Sequence, residues 1–312
     1  MDCAASRSSR PSVRRERRSL AIKRLNRLPE NNGRYRSVLA AMIIRPYVKP
    51  NYETMLITSR SNQLDYEIFI AKPFDEPAEG GYGVIYVLDG NGLFETAAEI
   101  TRLLTRKPKG YQPAVVVGIG YPGGEAFDTM RRTYDLTMPA ELANLPLRPN
   151  GEPWPEYGGA DELLALFEKE IMPAVAQRFA INKRKQALFG HSFGGLFVLH
   201  ALFAQPALFS HYVASSASIW WNDYALLDEY EAFKADLNSN AISPLPKALM
   251  IAGGDELDYM VKDSMNLCAD MMSLRVPGFE ASWALLEQEE HVSVIPGAIS
   301  RAVKFWLAAT SN

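Results

Sequence analysis

The sequence predicts an α/β protein built on a mostly parallel central sheet with helices on both of its faces. Eight short apolar runs rich in β-branched residues follow one another, and from the third run onward helical patterns lie between them. Strands that alternate with helices are typical of a parallel sheet that is covered on both sides. The chain has 312 residues, 47% of them hydrophobic and 22% charged, which is the composition of a globular protein with a large core.

The individual elements follow from local patterns. Apolar runs bounded by polar, Gly or Pro residues predict strands, and apolar residues at helical spacing predict helices. The predicted strands are 55–58, 66–71, 84–88, 114–119, 187–189, 212–214, 248–251 and 283–287. The predicted helices are 94–105, 161–179, 195–204, 224–235, 259–274 and 298–308. The first two strands, joined by Arg60, Ser61 and Asn62, predict an antiparallel hairpin that leads into the parallel sheet.

One segment, 121–160, interrupts this alternation. It contains six Pro and five Gly and is too long for a plain connection between two elements. Long loops inside a compact domain are often lids or binding loops. We therefore predict that residues 121–160 form a lid over a site.

The net charge of −3 combines two different parts of the chain. Residues 1–36 hold 11 Lys and Arg against 3 Asp and Glu, a balance of +8, whereas the remaining residues hold 22 basic and 33 acidic groups, a balance of −11. We interpret residues 1–36 as a flexible basic tail and residues 37–312 as one domain. The apolar run 38–44 is interpreted as a first strand or as a segment that packs under the core.

Several classes of partner and cofactor have no support in the sequence. No run approaches the roughly 18 apolar residues of a membrane span, and 38–44 has no small-residue cleavage site after it, so we expect a cytoplasmic location, with a periplasmic one as the alternative. Cys3 and Cys268 are too few for a disulfide framework and lack metal-ligand spacing. The glycine pattern at 118–123 follows a strand, but Pro122, Gly123, Gly124 and the loop after them offer no helix of the kind that a dinucleotide site needs. We expect no cofactor, no metal and no nucleic acid.

The motif Gly-His-Ser-Phe-Gly at 190–194 carries the strongest chemical signal. It matches the nucleophile elbow, in which a serine stands on a sharp turn between a strand and a helix. An apolar strand precedes the motif and an apolar helix follows it, as this turn requires. The motif predicts Ser192 as a nucleophile on an α/β-hydrolase fold. A Gly-rich turn with a capping serine is the alternative.

A serine nucleophile needs a general base, which is normally a histidine. Of the four histidines, His191 lies inside the motif, His200 follows on the next helix, and His211 opens the next strand. His291 lies after the last strand and before the final helix, where the order of catalytic residues in α/β hydrolases places the base. We predict His291 as the base; a solvent-exposed loop histidine is the alternative.

A third residue, an acid, is expected after the strand 248–251. Glu256 is favoured because its spacing from Gly253 is usual for this position, and Asp258 and then Asp255 are the alternatives. All three carboxylates have another possible role as helix-capping or first-turn acids.

The oxyanion hole requires two backbone N–H groups. We expect one from Phe193, which follows the nucleophile, and one from Gly90 or Asn91 in the loop after the third strand. As the alternative, the loop 89–92 is a plain turn made of Asp-Gly and Asn-Gly dipeptides.

Four groups of residues together resemble a known family. They are 88–91 with 190–195, the Arg-Arg-x-Tyr-Asp segment within 131–137, the glycines of 158–160, and 216–221 with its paired tryptophans. These segments resemble the esterase D-like branch of the α/β hydrolases, and within it the hydrolases of siderophore trilactones of the enterobactin, salmochelin and bacillibactin types. The resemblance covers roughly residues 50–310.

The resemblance implies hydrolysis of the ester bonds of a catecholate siderophore trilactone, which would release iron from its ferric complex. It implies that Arg131 and Arg132 bind the anionic substrate and that Trp220 and Trp221 offer flat walls to catechol rings. As alternatives, the arginines hold the lid through Asp135 and the tryptophans belong to the core. Some family members work with a Ser–His pair and no well-placed acid, which would fit the ambiguity between Asp255, Glu256 and Asp258. A general carboxylesterase or thioesterase and a non-catalytic binding protein are the competing functions.

Overall fold

The computed structural model describes residues 47–308 except Ala78, Lys109 and Pro149. The described residues form one eight-stranded sheet in the order β1-β2-β4-β3-β5-β6-β7-β8. The strands are β1 Tyr52–Thr58, β2 Asp65–Ala71, β3 Tyr82–Val87, β4 Ala114–Gly120, β5 Ile181–His191, β6 His211–Ser215, β7 Lys247–Gly253 and β8 Glu280–Leu286. Strand β2 is antiparallel to β1 and to β4, and every other neighbouring pair is parallel. The predicted hairpin and the mostly parallel sheet are therefore confirmed.

Helices cover both faces of this sheet. They are α1 Gly90–Leu104, α2 Thr129–Asp135, α3 Ala160–Leu166, α4 Met172–Arg178, α5 Phe193–Ala204, α6 Trp221–Tyr224, α7 Leu226–Asn238, α8 Asp258–Ser273 and α9 Val294–Ala308. A π-helical turn, Phe167–Ile171, joins α3 to α4, so the predicted helix 161–179 runs on through a local change of winding. Among the described residues, no helix is both long and apolar enough to cross a bilayer.

Two buried clusters lie on opposite faces of the sheet because successive strand residues point to opposite sides. On β3, Ile85 and Val87 pack into the cluster formed with α1 and α9, whereas Tyr86 packs into the cluster formed with the π-helical turn, α5, α7 and α8. Helix α5 is buried on nearly all sides, which is typical of a helix in the centre of a core. The α/β-hydrolase fold class is confirmed.

Three helices differ most from the sequence-based prediction, one of them α9, which begins at Val294 rather than at residue 298. Helix α1 begins at Gly90 rather than at residue 94, so the glycines that indicated a loop form its first turn. The lid-like segment 121–160 contains α2, which is only seven residues long and is capped by the Asp128 side chain. A helix this short leaves too weak a periodic signal to be predicted. The predicted tail 1–36 and the apolar run 38–44 lie outside the described residues.

The fold brings four loops together at one edge of the sheet. The loops that follow β3, β5, β7 and β8 carry Gly90, Ser192, Glu256 and His291, respectively. Carboxyl ends of parallel strands meet at the same edge, which is where α/β proteins bind their ligands. The candidate catalytic residues, distant in sequence, are therefore neighbours in space.

His200 joins three helices on one face of the sheet. Its Nδ1 lies 2.8 Å from Glu229 Oε2, and its Nε2 lies 3.2 Å from Asp161 Oδ1 without the alignment of a hydrogen bond. Burial alone would lower the pKa of His200, but the hydrogen bond to Glu229 and the charges of both carboxylates outweigh it and raise the pKa above its ordinary value. His200 therefore links α3 and α7 to α5.

This pKa shift predicts a pH dependence of stability. A histidine whose pKa is higher in the folded state stabilises the fold below its unfolded pKa, and this contribution is lost as the pH rises through the folded pKa. We expect the free energy of unfolding to fall less between about pH 6 and pH 9 in His200→Gln than in the parent protein. Urea unfolding at both pH values measures this difference. An equal fall in the two proteins would contradict the prediction.

Candidate active site

Ser192 stands on a strained turn between β5 and α5. Its backbone angles are φ 60° and ψ −115°, a conformation that residues other than glycine rarely adopt. Its N–H donates to the Ser215 carbonyl at 2.9 Å, which fixes the turn against β6. A Cβ at Gly190 would collide with the Gly194 backbone, and one at Gly195 would lie 2.7 Å from the Ser215 carbonyl oxygen. Glycine is thus required on both sides of the serine.

His291 lies beside this serine. Its Nε2 is 3.1 Å from the Ser192 Oγ, within hydrogen-bond reach. The histidine sits on the turn that leads from β8 into α9, and the Val294 N–H closes that turn on the Glu290 carbonyl at 3.0 Å. The imidazole side chain is 41% exposed, so a substrate can reach it from solvent.

Of the three candidate carboxylates, the structure brings Glu256 to His291. Glu256 Oε1 lies 3.3 Å from His291 Nδ1, and the glutamate side chain is fully buried. The two groups are within ion-pair distance but are not aligned as a hydrogen bond. Asp255 is exposed, and Asp258 is exposed and pairs with Lys262 at 3.4 Å.

Backbone hydrogen bonds hold the loops that carry Glu256 and His291 together. The Gly254 N–H donates to the Leu286 carbonyl at 2.8 Å, and the Asp255 N–H donates to the Glu289 carbonyl at 3.0 Å. A Cβ at Gly253 would collide with the Glu289 backbone, so the close approach of the loops depends on that glycine. The residues directly before the acid are therefore fixed relative to the histidine loop.

His191, which the sequence did not indicate as a base, lies beside the other histidine of the site. Its ring centroid lies 4.6 Å from that of His291, and its Nδ1 lies 3.3 Å from the Ser215 Oγ. Burial, with smaller contributions from His291 and Arg132, lowers the pKa of His191 well below its ordinary range. A neutral His191 packs against His291 without adding a second positive charge.

The candidate oxyanion donors start two helices beside the serine. Phe193 is the first residue of α5 and Gly90 is the first residue of α1, positions whose N–H groups have no acceptor within their own helix. Strand β3 brings them close, because the Leu88 N–H donates to the Phe189 carbonyl at 3.0 Å. The Asn91 side chain is engaged elsewhere, since its amide exchanges two 2.8 Å hydrogen bonds with the Tyr121 backbone.

Arg132 lies next to the elbow and is paired with an acid. Its Nε and Nη2 donate to the two Asp89 carboxylate oxygens at 2.8 and 3.1 Å, and its Nη2 lies 3.5 Å from the His191 carbonyl oxygen. Asp89 is buried in a left-handed conformation, φ 52°, directly before α1. The guanidinium therefore connects the loop of Gly90 with the strand end that carries Ser192.

Arg131 points into a different environment. It lies 4.9 Å from the ring centroids of both Tyr66 and Tyr121, and its Nη2 is 3.5 Å from Asp135 Oδ2. Burial raises the pKa of Asp135 to about 6, against the opposing effects of Arg131 and Tyr66. This arrangement matches the alternative in which Arg131 holds the lid segment through Asp135.

Aromatic rings surround the residue that follows the nucleophile. Phe193 contacts Trp220 and Trp221 with ring centroids 6.1 and 5.4 Å apart, and Trp154 lies 6.2 Å from Phe193. Trp221 is fully buried and donates its Nε1–H to the Met138 carbonyl at 2.9 Å, whereas Trp220 is partly exposed. Trp154 comes from the segment 121–160, and no local sequence signal indicated that it would reach the site.

The residues that formally match a dinucleotide motif do not form such a site. Residues 118–123 include the end of β4, but the next helix of the described chain begins at Thr129. No group of three or more His, Cys, Asp or Glu residues within 47–308, apart from the undescribed positions, is arranged to hold a metal ion.

A serine on a nucleophile elbow, a histidine at hydrogen-bond distance and a buried carboxylate beyond it define a site of the α/β-hydrolase class. The family model described as "Putative esterase" matches residues 59–258, and the chain belongs to this esterase family. It is accordingly a carboxylic ester hydrolase.

Known relatives agree with this assignment. The Ferri-bacillibactin esterase BesA of Bacillus subtilis strain 168 is 38% identical over 265 residues, which cover 83% of this chain and 90% of the relative. The Siderophore triacetylfusarinine C esterase of Aspergillus fumigatus is 34% identical over 292 residues, which cover 83% of this chain and 94% of that relative. The crystal structure of the BES protein from Bacillus cereus matches with a TM-score of 0.80 and 34% identity, over 85% of this chain and 99% of that one.

Proposed function

We propose that the protein is a serine esterase that hydrolyses the ester bonds of a siderophore trilactone of the catecholate class. The observation that carries the catalytic part is the 3.1 Å contact between Ser192 Oγ and His291 Nε2 on a nucleophile elbow, with Glu256 at Nδ1. Acyl transfer by an activated serine uses a nucleophile, a base that accepts its proton and, in the triad form, an acid that orients the base.

In the first half of the reaction, His291 Nε2 accepts the Ser192 proton as Oγ attacks the ester carbonyl carbon. The tautomer that leaves Nε2 free carries its proton on Nδ1, which faces Glu256, and the carboxylate stabilises the imidazolium that forms. The N–H of Phe193, with that of Gly90 or Asn91, stabilises the tetrahedral oxyanion. His291 then donates its proton to the leaving alcohol, and an acyl-enzyme remains on Ser192.

In the second half, His291 removes a proton from water, which attacks the acyl carbonyl carbon. The second tetrahedral intermediate collapses, the acid product leaves, and the proton returns from His291 to Ser192. Neutral His191 supports this cycle because it packs against the imidazole without opposing its protonation through a like charge.

Two observations support a siderophore ester as substrate. The relatives that match most of this chain are named as esterases of ferri-bacillibactin and triacetylfusarinine C. The site is also bordered by Trp220, Trp154 and Phe193, whose rings suit a flat aromatic group. Arg131 and Arg132 are paired with Asp135 and Asp89, so they add nothing to this support as substrate ligands.

The experiment compares kcat/KM for a catecholate trilactone, with and without iron, against that for a short p-nitrophenyl ester. We expect the trilactone to be preferred by at least about 100-fold. A preference for the short ester by several orders of magnitude would instead indicate a general carboxylesterase or thioesterase. A fluorophosphonate probe is expected to label Ser192, and a folded protein that stays unlabelled would be a binding protein rather than a serine esterase.

A further inference from the structure

We infer that Ser216 is a positioning residue that holds the Glu256 carboxylate in place for His291. The inference rests on the proposed Ser–His–Glu function of the site. Ser216 Oγ donates a hydrogen bond to Glu256 Oε1 at 2.5 Å. Glu256 Oε1 also lies 3.3 Å from His291 Nδ1, so Ser216 bonds the carboxylate oxygen that faces the base.

The glutamate needs this donor because its side chain has no contact with solvent. A buried carboxylate is costly unless hydrogen bonds satisfy it. Within the part of the chain that the structure describes, Oε2 of Glu256 has no hydrogen-bond partner, and the approach of Oε1 to His291 is not aligned as a hydrogen bond. The Ser216 hydroxyl is therefore the group that fixes which way the carboxylate turns.

The backbone of Ser216 is itself fixed in an uncommon conformation. Its φ is 47°, in the left-handed region, and its N–H donates to the Ile251 carbonyl of β7 at 2.7 Å. The residue is buried at the end of β6, one position after Ser215, whose carbonyl accepts the N–H of Ser192. Two consecutive serines thus contact the nucleophile and the acid, and they set the spacing between them.

Removing the hydroxyl tests the inference. Ser216→Ala keeps the Cβ and its left-handed backbone, and it deletes only the hydrogen bond to Glu256. We expect kcat to fall about 10- to 100-fold with KM changed less than about twofold, because a hydrogen bond to a charged group that orients the base is lost. Ser216→Thr retains a hydroxyl and should recover most of the activity. Ser216→Gly tolerates the positive φ, and it tests the same loss if the alanine variant does not fold.

A double-mutant cycle separates a role through Glu256 from general structural damage. In a Glu256→Gln background, adding Ser216→Ala should change kcat less than about twofold, since the carboxylate on which the serine acts has gone. Ser264→Ala is the matched control. It removes another buried hydroxyl, which accepts a hydrogen bond from Trp283 away from the site, and it should keep the parent kcat.

The outcomes distinguish this inference from the proposed function. Additive losses in the double variant, or a Ser216→Ala enzyme with the parent kcat, would overturn the role of Ser216 while the triad stands. A Glu256→Gln variant with the parent kcat would remove the basis for the role of Ser216 and leave a Ser–His pair. A Ser192 that the fluorophosphonate probe does not label would overturn the proposed function itself.

Discussion

Ser192→Ala is expected to lower kcat for the ester substrate by about 10,000-fold or more while the protein stays folded. In the proposed reaction, the Ser192 Oγ attacks the ester and its proton passes to His291 Nε2, which lies 3.1 Å away. Without the nucleophile, the oxyanion donors and the binding surface remain, and in serine hydrolases these alone supply only a small residual acceleration.

The fold should tolerate this change. Serine and alanine both carry a Cβ, so the strained φ of 60° at this position costs about the same for either residue. Activity and fluorophosphonate labelling should disappear together, while the thermal unfolding temperature stays close to that of the parent. Ser264→Ala, in which the truncated serine lies on α8, is the control for loss of a hydroxyl. A Ser192→Ala protein that retains more than about one hundredth of the parent kcat would show that another residue is the nucleophile.

The grouping of Ser192, Glu256 and His291 in space could be predicted from sequence because each residue follows the end of a strand. A strand, a glycine-flanked serine and an apolar helix are local signals, and they indicated Ser192 directly. His291 followed because it was the one histidine placed after the last strand. The acid was harder to choose, since Asp255, Glu256 and Asp258 share the same loop. Which of the three carboxylates faces His291 depends on the backbone hydrogen bonds between this loop and the His291 loop. Those bonds join residues that are far apart in sequence.

Other features of the site could not be predicted because they arise from contacts between distant segments. Trp154 reaches Phe193 only because the segment 121–160 folds back over the elbow. Arg132 was a candidate substrate ligand, but the structure turns it toward Asp89. The pairing follows from the position of α2, a helix whose seven residues carry no clear period. Contacts between side chains from distant segments produce no regular residue spacing in the sequence from which they could be predicted.

Arg132→Met is expected to lower the free energy of unfolding by about 3–5 kcal/mol, because it breaks a buried ion pair by removing one partner. The Arg132 side chain is 13% exposed and that of Asp89 is 1% exposed, so water cannot replace the guanidinium. The two hydrogen bonds at 2.8 and 3.1 Å form a fork that methionine cannot imitate. The Asp89 carboxylate would remain unpaired directly before the N-terminus of α1, beside the candidate oxyanion donor Gly90.

Urea unfolding measures this loss, and a second substitution identifies its cause. If the unpaired charge is responsible, Arg132→Met combined with Asp89→Asn should recover a large part of the lost stability, because the amide is neutral and similar in shape. Lys262→Met, which breaks the exposed pair with Asp258, is the matched control and should leave the urea midpoint unchanged. If the double variant unfolds as easily as Arg132→Met alone, the lost packing of the arginine, and not the buried charge of Asp89, stabilises this edge of the site.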